Sequence, residues 1–254
     1  MTSIPFTEAV SKLPVTELQQ TIDEYVRPVS DRLPDARLQR LVPLAVQGIV
    51  SSESPVITQL AQGIPRTEGS VWAVAKRFYR FLGNANFTPA RLNQGLYAGG
   101  QATVRREAPE YGVVALDPVT FEKPYTRELE GGSSVHKSTP PDRHGQARLT
   151  WGYPAVTATV VNTRVPAVTY APWFAYTSAD FLSENRELER ALHTTQHLLS
   201  DYPRRFVMDS GGDDKKIFAW LVDDEFVIRA AHLERIVEVY NGHADRWERE
   251  ARRI

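Results

Sequence analysis

The chain has 254 residues, of which 42% are hydrophobic and 24% charged, and its formal net charge is −1. This is an ordinary globular composition, long enough for one large domain or two small ones. The absence of cysteine excludes disulfides, thiolate metal sites and cysteine nucleophiles. The first residues lack the basic segment and apolar run of a signal peptide. No apolar stretch reaches the ~18 residues that a membrane-spanning helix needs. We therefore expect a cytoplasmic protein with no membrane partner.

The N-terminal part of the chain is predicted to be helical up to about residue 108. A helical apolar period runs through VTELQQTIDEYV and again near residues 36–50. Ser54 and Pro55 suit the N-cap and the first position of a third, short helix. A fourth helix is predicted near residues 70–82, and it interleaves basic with aromatic side chains: Lys76, Arg77 and Arg80 with Trp72, Phe78 and Tyr79.

From about Tyr111 the pattern changes to alternating strands and helices. GVVALD, AVTATVV, PAVTY, RRFVMD and EFVIR are short apolar runs, most of them rich in β-branched residues, and each is predicted to form a strand. Helices are predicted near residues 179–200, in DDKKIFAWL and over residues 233–253. This order predicts an α/β fold with a helical N-terminal region over 1–108 and a mixed sheet with flanking helices over 109–254.

Two of the predicted strands end in an acidic residue, Asp117 and Asp209. Ligands of open α/β sheets collect at the carboxyl ends of the strands, so neighbouring strands would bring these two carboxylates together. Mg²⁺ takes oxygen ligands, often only one or two carboxylates, with water and phosphate completing its shell. The alternative is that each aspartate caps a helix or stabilises a turn.

Several strings of the sequence, taken in order, resemble DDE transposases of the insertion-sequence type. VVALDPVTFEKP is similar to the family's first-Asp strand, and HGQARLTWGYPAVTATVV to the stretch that follows it. RRFVMDSGGDDKKIFAWLVDDEFVIRA is similar to the second-Asp block, and LERIV continues that block. VWAVAKRFYRFLGNANF resembles the helical region before the catalytic core. The resemblance spans roughly residues 35–240 and implies a ribonuclease-H-like core.

The resemblance also implies a chemistry and a set of residues. Asp117 and Asp209 would be ligands of two Mg²⁺ or Mn²⁺ ions, which cut a phosphodiester and join the freed 3′-hydroxyl to new DNA. Gly211 and Gly212 would let DNA approach the backbone. Arg229 would contact phosphate, or alternatively pair with an acid of the segment 223–225. The implied partner is double-stranded DNA at transposon ends, bound by a homodimer that is nucleoid-associated while on DNA.

The third metal ligand of the resembled family has no evident counterpart in the sequence. That ligand is a Glu on a helix beyond the last core strand, in spaced order with Tyr, Arg and Lys. Glu238 and Glu248 in the predicted terminal helix are the remaining candidates, against the alternative of a solvated helix face. Asp213 and Asp214 are better explained by the N-terminus of the next helix. The core is therefore expected to be C-terminally incomplete.

Basic residues outside the strands are predicted DNA contacts. One group lies in the loop after the first strand, where it would grip phosphate or alternatively belong to an ordinary surface loop: His136, Lys137, Arg143, His144 and Arg148. The other group lies in the fourth helix, where Lys76, Arg77 and Arg80 would contact phosphate. The aromatic residues beside them are predicted to belong to the core.

Three functions stay open at this point. The first is a DNA transposase, or a fragment of one. The second is a catalytically inactive remnant or repressor that still binds DNA, and the third is a metal-dependent nuclease without strand transfer. The sequence has no phosphate-binding loop, no Gly-x-Ser-x-Gly elbow and no His-Glu-x-x-His, so it gives no support to a nucleotide triphosphatase, a serine hydrolase or a zinc protease of these types.

Overall fold

A computed structural model of the chain describes residues 15–64, 68–107, 110–125, 128, 130–137, 146, 148–231, 237–241 and 246–250. The chain divides into two compact units with their boundary between Thr103 and Val104. The first unit is helical and the second contains the sheet. The predicted α/β class is confirmed, with N-terminal helices followed by a mixed sheet and flanking helices.

Within the described residues, five helices precede the sheet: α1 Val15–Ser30, α2 Ala36–Ser52, α3 Ile57–Gln62, α4 Val71–Leu82 and α5 Pro89–Glu107. The core of the first unit joins apolar side chains of α1 to α4, among them Val26, Leu38, Leu60 and Phe78. The predicted N-cap at Ser54 is wrong. Its hydroxyl accepts a hydrogen bond from the Val56 amide at 3.2 Å, and the helix begins two residues later than predicted.

The second unit contains six strands of one sheet and two helices. Their order along the chain is β1 Gly112–Glu122, β2 Ser133–His136, β3 Leu149–Val160, β4 Ala167–Tyr170, α6 Glu184–Leu198, β5 Arg204–Met208, a 3₁₀ turn Ser210–Gly212, α7 Lys215–Trp220 and β6 Glu225–Ile228. Leu182, predicted on the apolar face of α6, is exposed before it. The reason is that Ser183 caps the helix, its hydroxyl accepting a hydrogen bond from the Arg186 amide.

The strands lie in the order β2-β3-β1-β5-β6, and β4 also pairs with β3. β1 is antiparallel to β3 and parallel to β5, and β5 is parallel to β6. The sheet is therefore mixed, with β1 and β5 at its centre. Alternate residues are buried in the first half of β1 and along β5: Val114 and Leu116 on β1, and Phe206 and Met208 on β5. The helix α6 packs on β1, β3 and β4.

β1 is longer than predicted, because the strand expected to end at Asp117 continues to Glu122. Its pairing with β5 ends at Ala115, whereas its pairing with β3 runs on to Glu122 opposite Gly152. Gly152 permits this approach, since a Cβ there would lie 2.4 Å from the Phe121 carbonyl oxygen. The result is a β1–β3 ribbon that continues past the point where β1 leaves β5.

The helix predicted over residues 233–253 is wrong within the described part of that segment. Two strands occupy it, β7 Val237–Asn241 and β8 Arg246–Glu250, paired as an antiparallel hairpin. The first three residues of VEVYN alternate apolar and polar, and its valines and tyrosine favour strands. Glu238 and Glu248 therefore lie on strands, so neither is a carboxylate on a terminal helix.

Candidate functional site

Asp117 and Asp209 lie at the same level of two neighbouring parallel strands. The β1–β5 pairing ends with Ala115 opposite Val207. Asp117 lies two residues further along β1, and Asp209 lies two residues beyond Val207, directly after the last residue of β5. Adjacent strands are about 4.8 Å apart, so the register places the two aspartates side by side at the carboxyl end of β5. Both residues are exposed. The structure thus brings together the two acids that the sequence singled out.

The pKa of Asp117 depends on the neighbouring carboxylate of Asp209. Protein atoms around its side chain raise the pKa of Asp117 above its ordinary value of 3.8, and the negative charge of Asp209 raises it further. Both effects disfavour the ionised form of Asp117. A cation placed between the two carboxylates would favour the ionised form of Asp117 and lower its pKa.

Replacing Asp209 by Asn is expected to lower the pKa of Asp117 toward its ordinary value, because the neighbouring negative charge is removed while the burial remains. Carbon NMR titration of the labelled carboxylate measures this. Asp223→Asn, an exposed acid in the turn before β6, is the control and should leave the titration unchanged. An unaltered Asp117 titration in Asp209→Asn would show that the two carboxylates do not interact.

Local hydrogen bonds fix the geometry around Asp209. Its carboxylate accepts a hydrogen bond from the Gly211 amide at 2.8 Å, which makes it the cap of the 3₁₀ turn. Gly212 is buried, and a Cβ there would lie 2.8 Å from the Met208 Cβ. Gly212 thus allows the chain to turn tightly against Met208 after β5, a packing role inside the protein that the sequence did not suggest.

The two acids that follow this turn have roles in the backbone. Asp214 caps α7, accepting a hydrogen bond from the Lys216 amide at 2.7 Å, in agreement with the cap interpretation. Asp213 accepts a hydrogen bond from the Ala231 amide at 2.8 Å. This bond ties the segment after β6 to the segment after β5. Residues after both strands are therefore held together at the edge of the sheet that carries Asp117.

Arg229 follows β6 at the same edge. Its amide donates to the Met208 carbonyl at 3.2 Å, and its side chain is exposed. The alternative of an ion pair with the preceding acids is not seen among the described residues. Asp224 pairs instead with Arg204, and Glu225 with Arg205. The Arg229 guanidinium is therefore in a position to meet a ligand at the edge where the aspartates lie.

The basic loop after β1 is only partly described. Arg143 and His144 lie outside the described residues. Lys137 and Arg148 extend the β2–β3 pairing, since the Lys137 amide donates to the Arg148 carbonyl at 2.8 Å. Both lie at the end of the ribbon that is remote from the β5 pairing. His136 and Arg148 are exposed, and Lys137 is half-buried.

No third acid joins the pair in the part of the chain that the structure describes. Within those residues, no three histidine or acidic side chains gather closely enough to hold an ion. Asp117 and Asp209 therefore form a site with two carboxylates. Such a site suits an ion that takes its remaining ligands from water and from the phosphates of a substrate.

The outward face of α4 differs from the prediction. Trp72 and Tyr79 are 61% and 53% exposed, so the prediction that they belong to the core is wrong, whereas Phe78 is buried as predicted. The buried positions Val74, Ala75, Phe78 and Phe81 fill one side of the helix, which leaves Trp72 and Tyr79 on the other. The ammonium of Lys76 lies 5.2 Å from the centre of the Trp72 ring. Basic and aromatic side chains therefore share one exposed face.

A basic cavity of about 680 Å³ lies in the first unit between α2 and α4. Four arginines line it, and only two acids accompany them: Arg37, Arg40, Arg77 and Arg80 with Asp35 and Glu68. Arg77 is engaged by Glu68 at 3.1 Å, whereas Arg37, Arg40 and Arg80 are exposed. The sequence analysis missed Arg37 and Arg40. That Arg37 and Arg40 lie near Arg80 can be recognised only once α2 and α4 are known to be neighbours.

Comparison with known proteins adds no family. No protein-family model matches this chain. No curated protein matches it either. None of the helices in the described residues is long and apolar enough to cross a membrane. The function is therefore inferred from the chain's own residues.

Proposed function

We propose that this protein carries out metal-dependent phosphodiester chemistry on DNA, of the kind that DDE transposases perform. The observation that carries the proposal is the pair Asp117 and Asp209, side by side on adjacent parallel strands at one edge of the sheet. Ligand sites of open α/β sheets lie at such edges. The strand order adds support, since an antiparallel part (β1 to β4) extended by the parallel strands β5 and β6 is compatible with the ribonuclease-H-like core that the sequence resembles.

The two carboxylates fit a divalent cation. They supply hard oxygen ligands, and their mutual repulsion is relieved when positive charge lies between them. Mg²⁺ and Mn²⁺ are the ions of choice for such oxygen ligands. When bound, the ion would supply Lewis acidity at a phosphate and a nucleophilic oxygen at neutral pH.

The protein's own groups would position the substrate around that site. The Gly211 amide holds the Asp209 carboxylate, and the Thr157 hydroxyl donates to the Asp117 carbonyl from the neighbouring strand at 3.3 Å. Arg229 supplies a guanidinium, which suits phosphate oxygens because its donors form a planar fork. Together these groups would orient a DNA strand with one phosphodiester at the aspartates.

A plasmid assay tests the proposal directly. The protein is incubated with supercoiled plasmid and a linear duplex in Mg²⁺, in Mn²⁺ and in EDTA. Joined products that need the metal support the proposal. Nicked or linear products that need the metal, without joined products, identify a nuclease instead. Absence of any metal-dependent product from pure, folded protein contradicts the catalytic proposal.

A second candidate function is DNA binding without catalysis. Two observations favour it: the absence of a third acid beside Asp117 and Asp209 within the described residues, and the basic cavity of the first unit. A chain that binds DNA ends without cutting them would compete with an active enzyme for its sites. DNA binding in EDTA together with inactivity in the plasmid assay would establish this function.

Arg40→Ala and Arg80→Ala are each expected to weaken binding to a duplex in EDTA about two- to tenfold, and to reduce the slope of log affinity against log salt by roughly one. Each arginine that contacts a phosphate releases condensed counterions, and its removal abolishes that release. Fluorescence anisotropy between about 50 and 200 mM salt measures both quantities. Arg32→Ala, at an exposed arginine that does not line the cavity, is the control. An unchanged slope would exclude these side chains from the DNA interface.

A further inference from the structure

An aromatic cluster lies on the same side of the β1–β3 ribbon as Asp117. The register pairs Asp117 with Thr157 and Phe121 with Tyr153. Residues directly opposite each other in an antiparallel pair point to one side, as do alternate residues of a strand. Asp117, Phe121 and Tyr153 therefore share one side of the ribbon. Trp173 joins them from the segment after β4 through a bridge to Ala155.

The rings of this cluster are in contact with one another and remain open to solvent. The Trp173 ring lies 5.1 Å from the Phe121 ring and 5.1 Å from the Tyr153 ring, and the latter pair is stacked. Trp173 is nevertheless 56% exposed and Phe121 41% exposed. Large exposed aromatic groups in contact are unusual on a soluble surface and mark an interaction site.

Backbone and side-chain hydrogen bonds hold the cluster in place. The Phe174 amide donates to the Pro154 carbonyl at 3.0 Å, beside the bridge of Trp173. The Tyr153 hydroxyl donates to the Glu130 carbonyl at 3.0 Å. These bonds fix the backbone of the Trp173 segment and the ring of Tyr153. The exposed aromatic surface is thus fixed before any ligand arrives, which reduces the entropic cost of binding.

A basic residue follows the cluster along the ribbon. Lys123 is exposed immediately after β1, and its amide donates to the Trp151 carbonyl at 2.7 Å. The alternation of β1 places Lys123 on the same side as Asp117 and Phe121. The same alternation along β3 places Lys137 and Arg148 on the opposite side. Along the side of Asp117 the chain therefore presents first a carboxylate, then the aromatic rings and then the positive charge of Lys123. An anionic strand could run along this path with a phosphate at Lys123.

We propose that Phe121, Tyr153 and Trp173 form a stacking platform for an unpaired base of the DNA whose backbone lies at Asp117 and Asp209. This proposal rests on the proposed function. Every base has an aromatic face that can stack on these rings, and Lys123 beyond the cluster complements the charge of the attached phosphates. Ordinary strand spacing puts the Cα of Trp173 roughly 12 Å from that of Asp117.

The test compares a duplex bearing a five-nucleotide single-stranded overhang with a blunt duplex of the same length, by anisotropy in EDTA. Trp173→Leu keeps an apolar side chain but removes the aromatic face, and it is expected to weaken binding of the overhang duplex roughly tenfold while leaving the blunt duplex within about twofold. Trp173→Phe is expected to retain most of the affinity. A 2-aminopurine in the overhang should be quenched by the wild type and by Trp173→Phe, and not by Trp173→Leu.

Tyr25→Ala is the matched control, because Tyr25 is an exposed aromatic residue at 65% on α1. It should bind both duplexes as the wild type does. Equal binding of the overhang by wild type and Trp173→Leu overturns the platform while leaving the proposed function standing. A wild type that binds neither duplex overturns both. A Trp173→Leu variant that keeps its DNA affinity but changes from dimer to monomer in sedimentation assigns the cluster to a protein interface and overturns the platform.

Discussion

Asp209→Asn is expected to weaken Mn²⁺ binding at least tenfold and to reduce metal-dependent DNA cleavage at least about a hundredfold. Loss of a group that only orients a ligand already costs 10–100-fold in metal affinity or activity, so loss of a ligand exceeds that. Asp117→Asn should have the same effect. The double variant should be little worse than either single one, because the two residues act as one site and their effects are not additive.

Calorimetry with Mn²⁺ measures the binding, and the plasmid assay measures the cleavage. Asp223→Asn is the matched control, since it removes one exposed carboxylate from the same unit and leaves the pair intact. Thermal melting without metal separates loss of the site from loss of the fold. Removing a charge from the Asp117–Asp209 pair relieves repulsion, so both variants should melt at or slightly above the wild-type temperature at neutral pH. Equal Mn²⁺ affinity in wild type and Asp209→Asn would remove both residues from the metal site.

The acidic pair was predictable because its signal is local. A short apolar run followed by an acid occurs at both Asp117 and Asp209, and in each case the apolar run forms a central strand of the sheet. That the two strands are neighbours was only a condition of the prediction. The structure shows them parallel, with the long connection that parallel strands need supplied by three strands and the helix α6. The sequence could not give the register, and only the register sets the two aspartates side by side.

The errors arose where distant partners decide the structure. β1 continues past Asp117 because β3 remains paired with it as far as Gly152, and nothing near Asp117 in the sequence indicates this. The exposed side of α4 depends on which helices cover it, so Trp72 and Tyr79 were misplaced although the helix itself was predicted correctly. The C-terminal hairpin shows a different failure. The many charged residues of segment 233–253 were interpreted as the solvated face of a helix. The valines and tyrosine of VEVYN favoured the strand that the structure shows.

The same dependence explains why the aromatic platform was not anticipated. Phe121 and Tyr153 are 32 positions apart in the sequence numbering and become neighbours only through the β1–β3 register, and Trp173 joins them through one isolated bridge. The arginines of the basic cavity are equally scattered, since Arg40 and Arg80 lie on different helices. Local sequence therefore indicated the acidic pair, whereas surfaces assembled from several elements became visible only with the fold.

Two neighbouring acids, Asp224 and Glu225, lie where β5 and β6 begin, and they differ in burial. Removing them should therefore reduce the free energy of unfolding by different amounts. The Asp224 carboxylate pairs with Arg204 at 2.8 Å, and the two side chains are only 5% and 17% exposed. It also accepts a hydrogen bond from the Gln196 side chain of α6 at 2.7 Å. Asp224→Ala leaves the buried guanidinium of Arg204 without its partner. We expect the second unit to lose roughly 3–5 kcal/mol of unfolding free energy.

Glu225→Ala provides the comparison within the same strand pair. Glu225 also pairs with an arginine, Arg205, but their side chains are 70% and 38% exposed. Water screens this pair, so its loss should cost less than about 1 kcal/mol. Urea unfolding of the two variants measures the difference. Replacing both members of the buried pair, Arg204→Met with Asp224→Leu, should restore much of the stability, because the uncompensated charge is gone. If Asp224→Ala and Glu225→Ala unfold at the same urea concentration, then the ion pair between Arg204 and Asp224 does not stabilise the second unit more than the exposed pair does.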